Sequence, residues 1–314
     1  MRVSILVVTW NNAEEICACL DAALAQTDVQ VEVVVVDNAS SDDTRAGLMR
    51  YADRVRVIES PGNIGYAVAN NVALKHATGE HVLLLNPDCV MTDDCVRRLV
   101  DHLVATPACG VAAASLRYPD GTPQAFARRE TTLSSAWWCL TETGSRIDVK
   151  LLHGRHRDRR WYAGLLPSPE VVTVESAAAA CVLLRRSDIG ETLFDERFPL
   201  LYNDSDLYRR LRERGLRADV VPDASASHAY GSGLRRVPPE RMRAESVRSL
   251  IRYAGRWWSP AARAGLLLAL LVDCLACATM VVTRRRPEPA LVALRGTWGG
   301  LGLPGGARPW LSRG

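Results

Sequence analysis

The sequence predicts an α/β fold built on a mainly parallel central sheet, with a helical extension at the C-terminal end. Two observations carry this expectation. Four apolar runs within residues 2–88 alternate with helical patterns at short intervals, the arrangement that builds βαβ units. Beyond residue 236 the strand pattern stops, and a basic amphipathic stretch and a nearly uninterrupted apolar one take its place. Composition agrees, because 48% hydrophobic and 24% charged residues over 314 positions suit a globular chain and argue against disorder.

Taken in order, "RVSILVVTW" (2–10) fits a buried strand. "NNAEEICACLDAAL" (11–24) follows as a helix that Asn11 or Asn12 can cap, with Glu14 and Glu15 in its first turn. "VEVVVVDNASSDDT" (31–44) holds a second buried strand ending in Asp37, and its Ser/Asp-rich turn can cap the next helix. "RVRVIES" (54–60) is a third strand. "GNIGYAVANNVALKHATG" (62–79) is a glycine-rich turn running into a helix that Gly79 stops. "EHVLLLNPD" (80–88) is the fourth strand. From about Cys109 the pattern loosens into a strand, a tight turn at 119–121 and an irregular Arg-, His- and Trp-rich region over 137–170. "SAAAACVLLRRSDI" (176–189) reads as a strand and a helix start, and "DERFPLLYNDSDLYRRLRERG" (195–215) as a loop and an amphipathic helix ended by Gly215. "RADVVPDASASHAYGSG" (217–233) is a last strand followed by a small-residue loop carrying His228. These readings give one domain over 1–235, a helical segment over 236–296 and a mobile tail over 297–314.

The helical segment opens with "ERMRAESVRSLIRYAGRWW", a basic amphipathic helix. "AGLLLALLVDCLACATMVV" (264–282) is apolar except for Asp273, with Arg263 before it and Arg284, Arg285 and Arg286 after it. It is about long enough to cross a bilayer, yet an aspartate near its middle costs roughly 3 kcal/mol there by insertion scales. Three roles stay open: spanning the membrane, lying on its surface, or packing on the domain or in a homodimer. The net charge of +4 suits an anionic substrate or a membrane surface. No strongly basic domain or nucleic-acid motif stands out, so nucleic acid is not an expected partner. The first strand starts almost at Met1, so no leader is expected, and the 9 scattered cysteines read as free thiols of a reducing, cytoplasmic compartment. Cys274 and Cys277 have CxxC spacing but lie inside the apolar run and read as core residues.

Acidic residues follow the expected strands: Asp37, Asp88, then Asp204 and Asp206. In an open parallel sheet such strand ends share one edge, where ligands bind. Four carboxylates there repel unless a cation or donor groups sit among them, and a hard divalent cation suits such a set. "GNIGYAVAN" matches neither GxGxxG nor GxxxxGK[ST], which removes the dinucleotide and phosphate-loop fingerprints. Its glycines, Gly65 among them, allow close backbone approach to a ligand, with Asn63 and Asn70 offering side-chain hydrogen bonds; a plain turn and helix cap is the alternative.

"VSILVVTWNN", "VVVVDNASSDDT", "GNIGYAVANN", "LLLNPD", "FDERFPLLYNDSDLYRRLRERG" and "ASASHAYGSG" occur in this order and spacing. Together they resemble glycosyltransferase family 2 with its GT-A nucleotide-sugar-binding fold, and within it the bacterial rhamnosyltransferase and galactofuranosyltransferase branch, over about residues 1–235. The resemblance implies that Thr9, Trp10 and Asn11 line a nucleotide site and that Asp37 accepts a hydrogen bond from the base. It sets the loop from Asn63 through Gly65 to Asn70 against ribose and sugar. "NPD" stands for the family's metal-binding DxD, with Asp88 on a cation and Asn86 orienting sugar or phosphate. Asp204 would be the base that deprotonates the acceptor hydroxyl, with Asn203 where the family usually has glutamate and Asp206 shaping the site or capping the helix. His228 falls where the family's metal-binding histidine does. Gln124 and Arg128 are candidate donor or acceptor contacts, and Trp137, Trp138 and Trp161 either stack on a sugar or lipid face or belong to the core.

The implied activity is an inverting, Mg²⁺- or Mn²⁺-dependent transfer of a sugar, L-rhamnose from dTDP-rhamnose first, to a polyprenyl-linked glycan or cell-surface polysaccharide. Another hexosyl donor, a small-molecule acceptor, and a non-catalytic sugar-nucleotide or polysaccharide-binding module are the alternatives. The expected location is the cytoplasm, including its face of the cell membrane.

Overall fold

The computed structural model describes residues 1–160, 162, 168–229, 237–283 and 287–304. Its strands are β1 (Arg2–Thr9), β2 (Gln30–Asp37), β3 (Arg56–Glu59), β4 (His81–Leu85), β5 (Cys89–Met91), β6 (Cys109–Arg117), β7 (Ala127–Arg128), β8 (Val172–Val174), β9 (Ser176–Ala177), β10 (Cys181–Arg185) and β11 (Arg217–His228). Its helices are α1 (Ile16–Leu24), α2 (Thr44–Met49), α3 (Tyr66–Lys75), α4 (Cys95–Ala105), α5 (Leu133–Leu140), α6 (Glu142–Leu151), α7 (Arg155–Arg159), α8 (Arg186–Ile189), α9 (Asn203–Glu213), α10 (Pro239–Trp257), α11 (Pro260–Val282) and α12 (Pro287–Gly300). They form two compact units. One comprises Met1–Arg128, Tyr162–Pro199 and Asn203–Leu234; the other comprises Arg129–Trp161, Leu200–Tyr202 and Arg235–Gly314.

The first unit is a sheet of order β3-β2-β1-β4-β10-β6-β11-β5, with β8 also on β11. The run β3, β2, β1, β4 is parallel. β10 enters antiparallel between β4 and β6, and β11 runs parallel to β6 but antiparallel to β5 and β8. The sheet is therefore mainly parallel over the half the sequence makes most legible and mixed over the other. Every residue of β1 after Arg2 and every residue of β4 is buried, so both faces are covered; this is why these strands read as unbroken apolar runs. Their register puts Thr9 opposite Asp37 and Val7 opposite Leu85, which brings the ends of β2, β1 and β4 to one level.

Several local expectations are corrected. Helix α1 starts at Ile16 rather than at the Asn11–Asn12 pair, because the Asn12 side chain is turned back onto the Trp10 amide, at 3.2 Å, and serves the strand end instead of a cap. Helix α3 ends at Lys75, before Gly79. Gly79 has another duty: a Cβ there would stand 2.6 Å from the Ser4 backbone nitrogen, so only glycine lets the chain pass β1 at this distance. His228 is the last residue of β11, paired with Cys89, rather than part of a loop beyond it. Gly215, at φ +78°, ends α9 as expected.

In the second unit, the region over 137–170 is not an irregular loop as far as residue 159. It forms α5, α6 and α7, with Thr132 and Thr141 accepting hydrogen bonds at the N-termini of α5 and α6. Helix α11 packs on α5, α6, α10 and α12 through Leu266, Leu270, Asp273, Cys274 and Cys277. Asp273, fully buried, accepts from the Glu142 and Thr143 amides at 3.2 and 2.8 Å, from the Thr143 hydroxyl, and from the Arg243 guanidinium at 3.1 Å. The one charge in the apolar run thus holds the N-terminus of α6 and a guanidinium from α10. All 9 cysteines are free thiols, Cys274 and Cys277 buried among them, and burial with the Asp273 charge pushes Cys277 up to about 12. Helix α12 reaches Gly300, inside the stretch expected to be mobile; residues 305–314 lie outside the described residues.

Candidate active site

Chemistry-bearing side chains gather where β4, β5 and β11 end. The chain leaves β4 at Leu85 and turns through Asn86, Pro87 and Asp88 into β5, a turn closed by the Cys89 amide donating to the Asn86 carbonyl at 3.1 Å. The Asn86 amide is anchored on the Ala180 carbonyl at 2.8 Å. β5 then pairs antiparallel with β11, so His228 lies beside Cys89 and its backbone follows the Asp88 turn. The His228 Nε2 stands 3.3 Å from the Asp88 Oδ1 and 3.3 Å from the Asn86 Nδ2.

Gln124 fixes the ring. Its Nε2 donates to the His228 carbonyl at 3.1 Å, which orients the amide so that Oε1 faces the ring Nδ1 at 2.7 Å. An acceptor there puts the proton of the neutral imidazole on Nδ1 and turns the Nε2 lone pair towards Asp88. Nε2 then faces the Asn86 N–H and the Asp88 carboxylate, both at 3.3 Å, and a cation between the ring and the carboxylate would be held by both. The donor set fits a divalent cation that accepts oxygen and imidazole, such as Mn²⁺ or Mg²⁺, in which case the Asn86 amide swings off Nε2. Cys89 lies in the same cluster; burial and the Asp88 charge push its thiol well up, and a hard cation prefers oxygen and nitrogen to sulfur. Gln124 is buried, with both ends of its side-chain amide engaged by His228. Replacing it with Leu would strand a buried N–H and let the imidazole turn. Affinity for Mn²⁺ in the presence of a nucleoside diphosphate is expected to fall about 10–100-fold, read by electron paramagnetic resonance. Unchanged affinity would remove Gln124 from this role.

A second carboxylate stands nearby at the start of α9. The Asp204 Oδ2 accepts from Arg128 Nη2 at 2.6 Å, and its Oδ1 accepts from the Ser205 amide at 2.7 Å. Asn203 uses its own Oδ1 on the Asp204 amide, at 2.7 Å. Tyr66, absent from the sequence-level candidates although it stands inside the "GNIGY" turn, feels the charge of both carboxylates. Its hydroxyl donates to the Ala179 carbonyl at 2.9 Å and lies 3.4 Å from the Asn86 Oδ1. Burial, then the negative charge of Asp204 and more weakly that of Asp88, pushes its pKa well above the ordinary range, so it remains a donor.

The remaining candidates have mostly local partners. Asp37, fully buried, accepts from the Ser40 amide at 3.1 Å and from Arg45 Nε at 2.9 Å. Neighbouring strands lie ~4.8 Å apart, so Asp37 and the Asp88 turn, two strands away, are on the order of 10 Å apart along the sheet edge. The Thr9 hydroxyl donates to the Asn12 Oδ1 at 3.3 Å. Asn11, at φ 56°, accepts the Ser41 amide at 2.7 Å, which draws the turns after β1 and β2 together. The Asn63 Oδ1 accepts from Asn38 Nδ2 and from the Gly65 amide, both at 3.1 Å, and Gly65 itself sits at φ +88°. Asn70 donates to the Tyr66 carbonyl at 2.9 Å. Asp206 is buried and holds Arg210, one turn further along α9, at 2.9 Å. Trp137 and Trp138 lie in α5 of the helical unit, Trp138 stacked on His156, and Trp161 lies outside the described residues. His102, Cys109 and Asp219 also cluster, but Asp219 is taken up by Thr173, His102 and Arg217, and that guanidinium supplies the positive charge.

Residues 4–163 match the model of glycosyl transferase family 2. Over 278 residues, 81% of this chain and 85% of the relative, the sequence is 25% identical to N-acetylglucosaminyl-diphospho-decaprenol L-rhamnosyltransferase of Mycobacterium tuberculosis. It is 31% identical over 245 residues to the O-antigen biosynthesis protein RfbC of Myxococcus xanthus, covering 74% of this chain and 18% of that protein. Among solved structures, the mannosyltransferase PcManGT from Pyrobaculum calidifontis, in complex with GDP-Man and Mn²⁺, superposes with a TM-score of 0.56 at 19% identity, covering 95% of this chain and 86% of that one. S. aureus TarS 1–349 in complex with UDP-GlcNAc gives 0.51 at 17%, covering 96% and 93%. These likenesses establish the GT-A fold.

Proposed function

The chain belongs to glycosyltransferase family 2, and from that membership we propose that it moves one sugar from a nucleoside diphosphate to an acceptor hydroxyl with inversion, in a single displacement. The facing side chains of Asp88 and His228, 3.3 Å apart at the end of β4, carry the reading. A carboxylate and an imidazole held in this way would give a divalent cation two ligands and leave its other positions to diphosphate oxygens and water.

Asp88 and His228 would hold the cation, with Gln124 keeping the imidazole in the tautomer that presents Nε2. A bound Mg²⁺ or Mn²⁺ supplies positive charge for the departing diphosphate. Asn86, once off the histidine, would be free to orient the sugar or phosphate of the donor. The turns after β1 and β2, drawn together by Asn11 and Ser41, form the wall towards the nucleoside. Asp204 takes the acceptor proton, and Arg128 holds its carboxylate in place until it does. The hydroxyl of Tyr66, between Asn86 and the field of Asp204, stays protonated and positions groups without titrating. The name of the mycobacterial relative favours L-rhamnose as the sugar and a polyprenyl-diphosphate-linked sugar as acceptor, and the family resemblance favours dTDP as the nucleotide.

A thermal-shift panel tests this. Ligands that bind the folded state raise its stability, by about 2.7 kcal/mol at a hundred times the dissociation constant. With two protein ligands to the cation, dTDP and Mn²⁺ together are expected to raise the melting temperature by more than the sum of their separate shifts. A panel of dTDP, UDP and GDP in which none shifts it, with or without Mn²⁺, would end the reading; a larger shift with UDP would replace the donor.

A further inference from the structure

The helical unit carries a surface that sugar transfer does not account for. On α11, Leu267, Leu268, Leu271, Val272, Leu275 and Val282 recur at helical spacing and are exposed, from 43% at Val272 to 81% at Val282. A contiguous apolar stripe of this kind on a soluble surface marks an interaction site. The opposite side of the helix is fixed, since Asp273 is tied there to α6 and Arg243. To cross a bilayer α11 would have to leave those partners and carry a bare carboxylate into hydrocarbon. The stripe must be covered with the helix in place.

Charge decides what covers it. The helical unit contains 21 Lys and Arg against 8 Asp and Glu, a net +13; the rest of the chain contains 18 against 27, a net −9; together they give the +4 of the whole. A second copy docked through the same unit would bring two strongly positive bodies together, whereas an anionic lipid surface would attract one. Where α10 gives way to α11, Arg252, Arg256 and Arg263 are exposed around Trp257 and Trp258, and the Arg256 guanidinium lies 4.8 Å from the Trp257 ring centroid. Indole rings and basic heads of this kind settle at the headgroup level of a bilayer. We propose that α11 lies in the plane of an anionic membrane surface, with the exposed stripe over 267–282 among the acyl chains and the 256–263 turn among the headgroups.

The full chain is mixed with sucrose-loaded vesicles of equal phosphatidylglycerol and phosphatidylcholine, or of phosphatidylcholine alone, and sedimented. Wild type should pellet with the anionic vesicles about tenfold better than with the neutral ones, and less so as salt rises. The triple variant Leu268→Gln, Leu271→Gln, Leu275→Gln should lose about tenfold of that binding while keeping the wild-type melting temperature. Arg256→Gln with Arg263→Gln should lower binding to the anionic vesicles alone. Wild type left in the supernatant with both vesicles, or a triple variant that pellets like wild type, would overturn the proposal. So would a lipid-free dimer in sedimentation velocity that the leucine substitutions dissociate. Pelleting reads no turnover and no nucleotide, so its failure and the failure of the transfer reading are separate results.

Discussion

Asp204→Asn is expected to lower turnover by about 10²–10⁴-fold, the usual worth of a positioned general base, while nucleotide and Mn²⁺ still raise the melting temperature as in wild type. The reason lies in what the carboxylate touches. Its Oδ2 receives Arg128 and its Oδ1 receives the Ser205 amide, so an asparagine of the same shape can keep one of these acceptor roles. What it cannot do is take a proton. Its amide also presents N–H to the guanidinium if the oxygen stays on Ser205, which loosens Arg128 without emptying the site. The side chains proposed to hold the cation are Asp88 and His228, not Asp204, so donor affinity should hold. Steady-state rates beside thermal shifts separate the two effects. Turnover within a few-fold of wild type would mean that another group takes the proton. A wild-type chain that binds nucleotide and turns over nothing would point to a binding module, the role that Asn86 and Asn203, amides where the family pattern is acidic, keep as the rival.

Asp273→Ala is expected to destabilise the helical unit by roughly 3–5 kcal/mol, the cost of breaking a buried ion pair from one side. The carboxylate is fully buried, and Arg243 is largely so, with 19% of its side chain exposed. Removing the acid leaves that guanidinium uncompensated and strips the first amides of α6 of their acceptor at the end where a negative charge is worth most. Asp273→Asn keeps an acceptor for the amides and should cost less. Circular dichroism melts of the two variants test the order, and hydrogen exchange at Glu142 and Thr143 locates it. A melt of Asp273→Ala within a degree of wild type would mean that the contacts contribute little. Taken alone, a mid-helix aspartate in an apolar run reads as an obstacle to membrane insertion; its structural use depends on Glu142, Thr143 and Arg243, more than a hundred residues away for two of them.

The same division runs through the whole chain. β1, β2 and β4 were legible because burial on both faces demands continuous apolar sequence, and Asp37 and Asp88 were legible because they interrupt it. Gly79 reads as a helix stop, since sequence shows a glycine after a helix and cannot show the Ser4 backbone 2.6 Å from its missing Cβ. Helices α5 to α7 were missed because short caps at Thr132 and Thr141 and contacts to distant helices define them, with little periodicity of their own. Gln124 and Arg128 are legible in the sequence as polar residues near the site, but their bonds to His228 and Asp204 join positions 104 and 76 residues apart, which no spacing encodes. Tyr66 lay in plain view in "GNIGY", but its hydroxyl gains meaning only from Ala179 and Asn86.

β11 is sandwiched between β6 and β5, pairing with both, and it delivers His228 to a turn completed some 140 residues earlier. On the ribosome, the Asp88 half of the pocket therefore emerges long before its imidazole. Until the last strand arrives, β6 and β5 each present an open hydrogen-bonding edge, the feature that makes late, non-local pairing slow and prone to intermolecular capture. Assembly of the Asp88–His228 cluster and closure of the sheet are thus one late event in biogenesis, and a nascent chain halted before residue 217 would lack the cluster and be sticky along the edges that β11 covers.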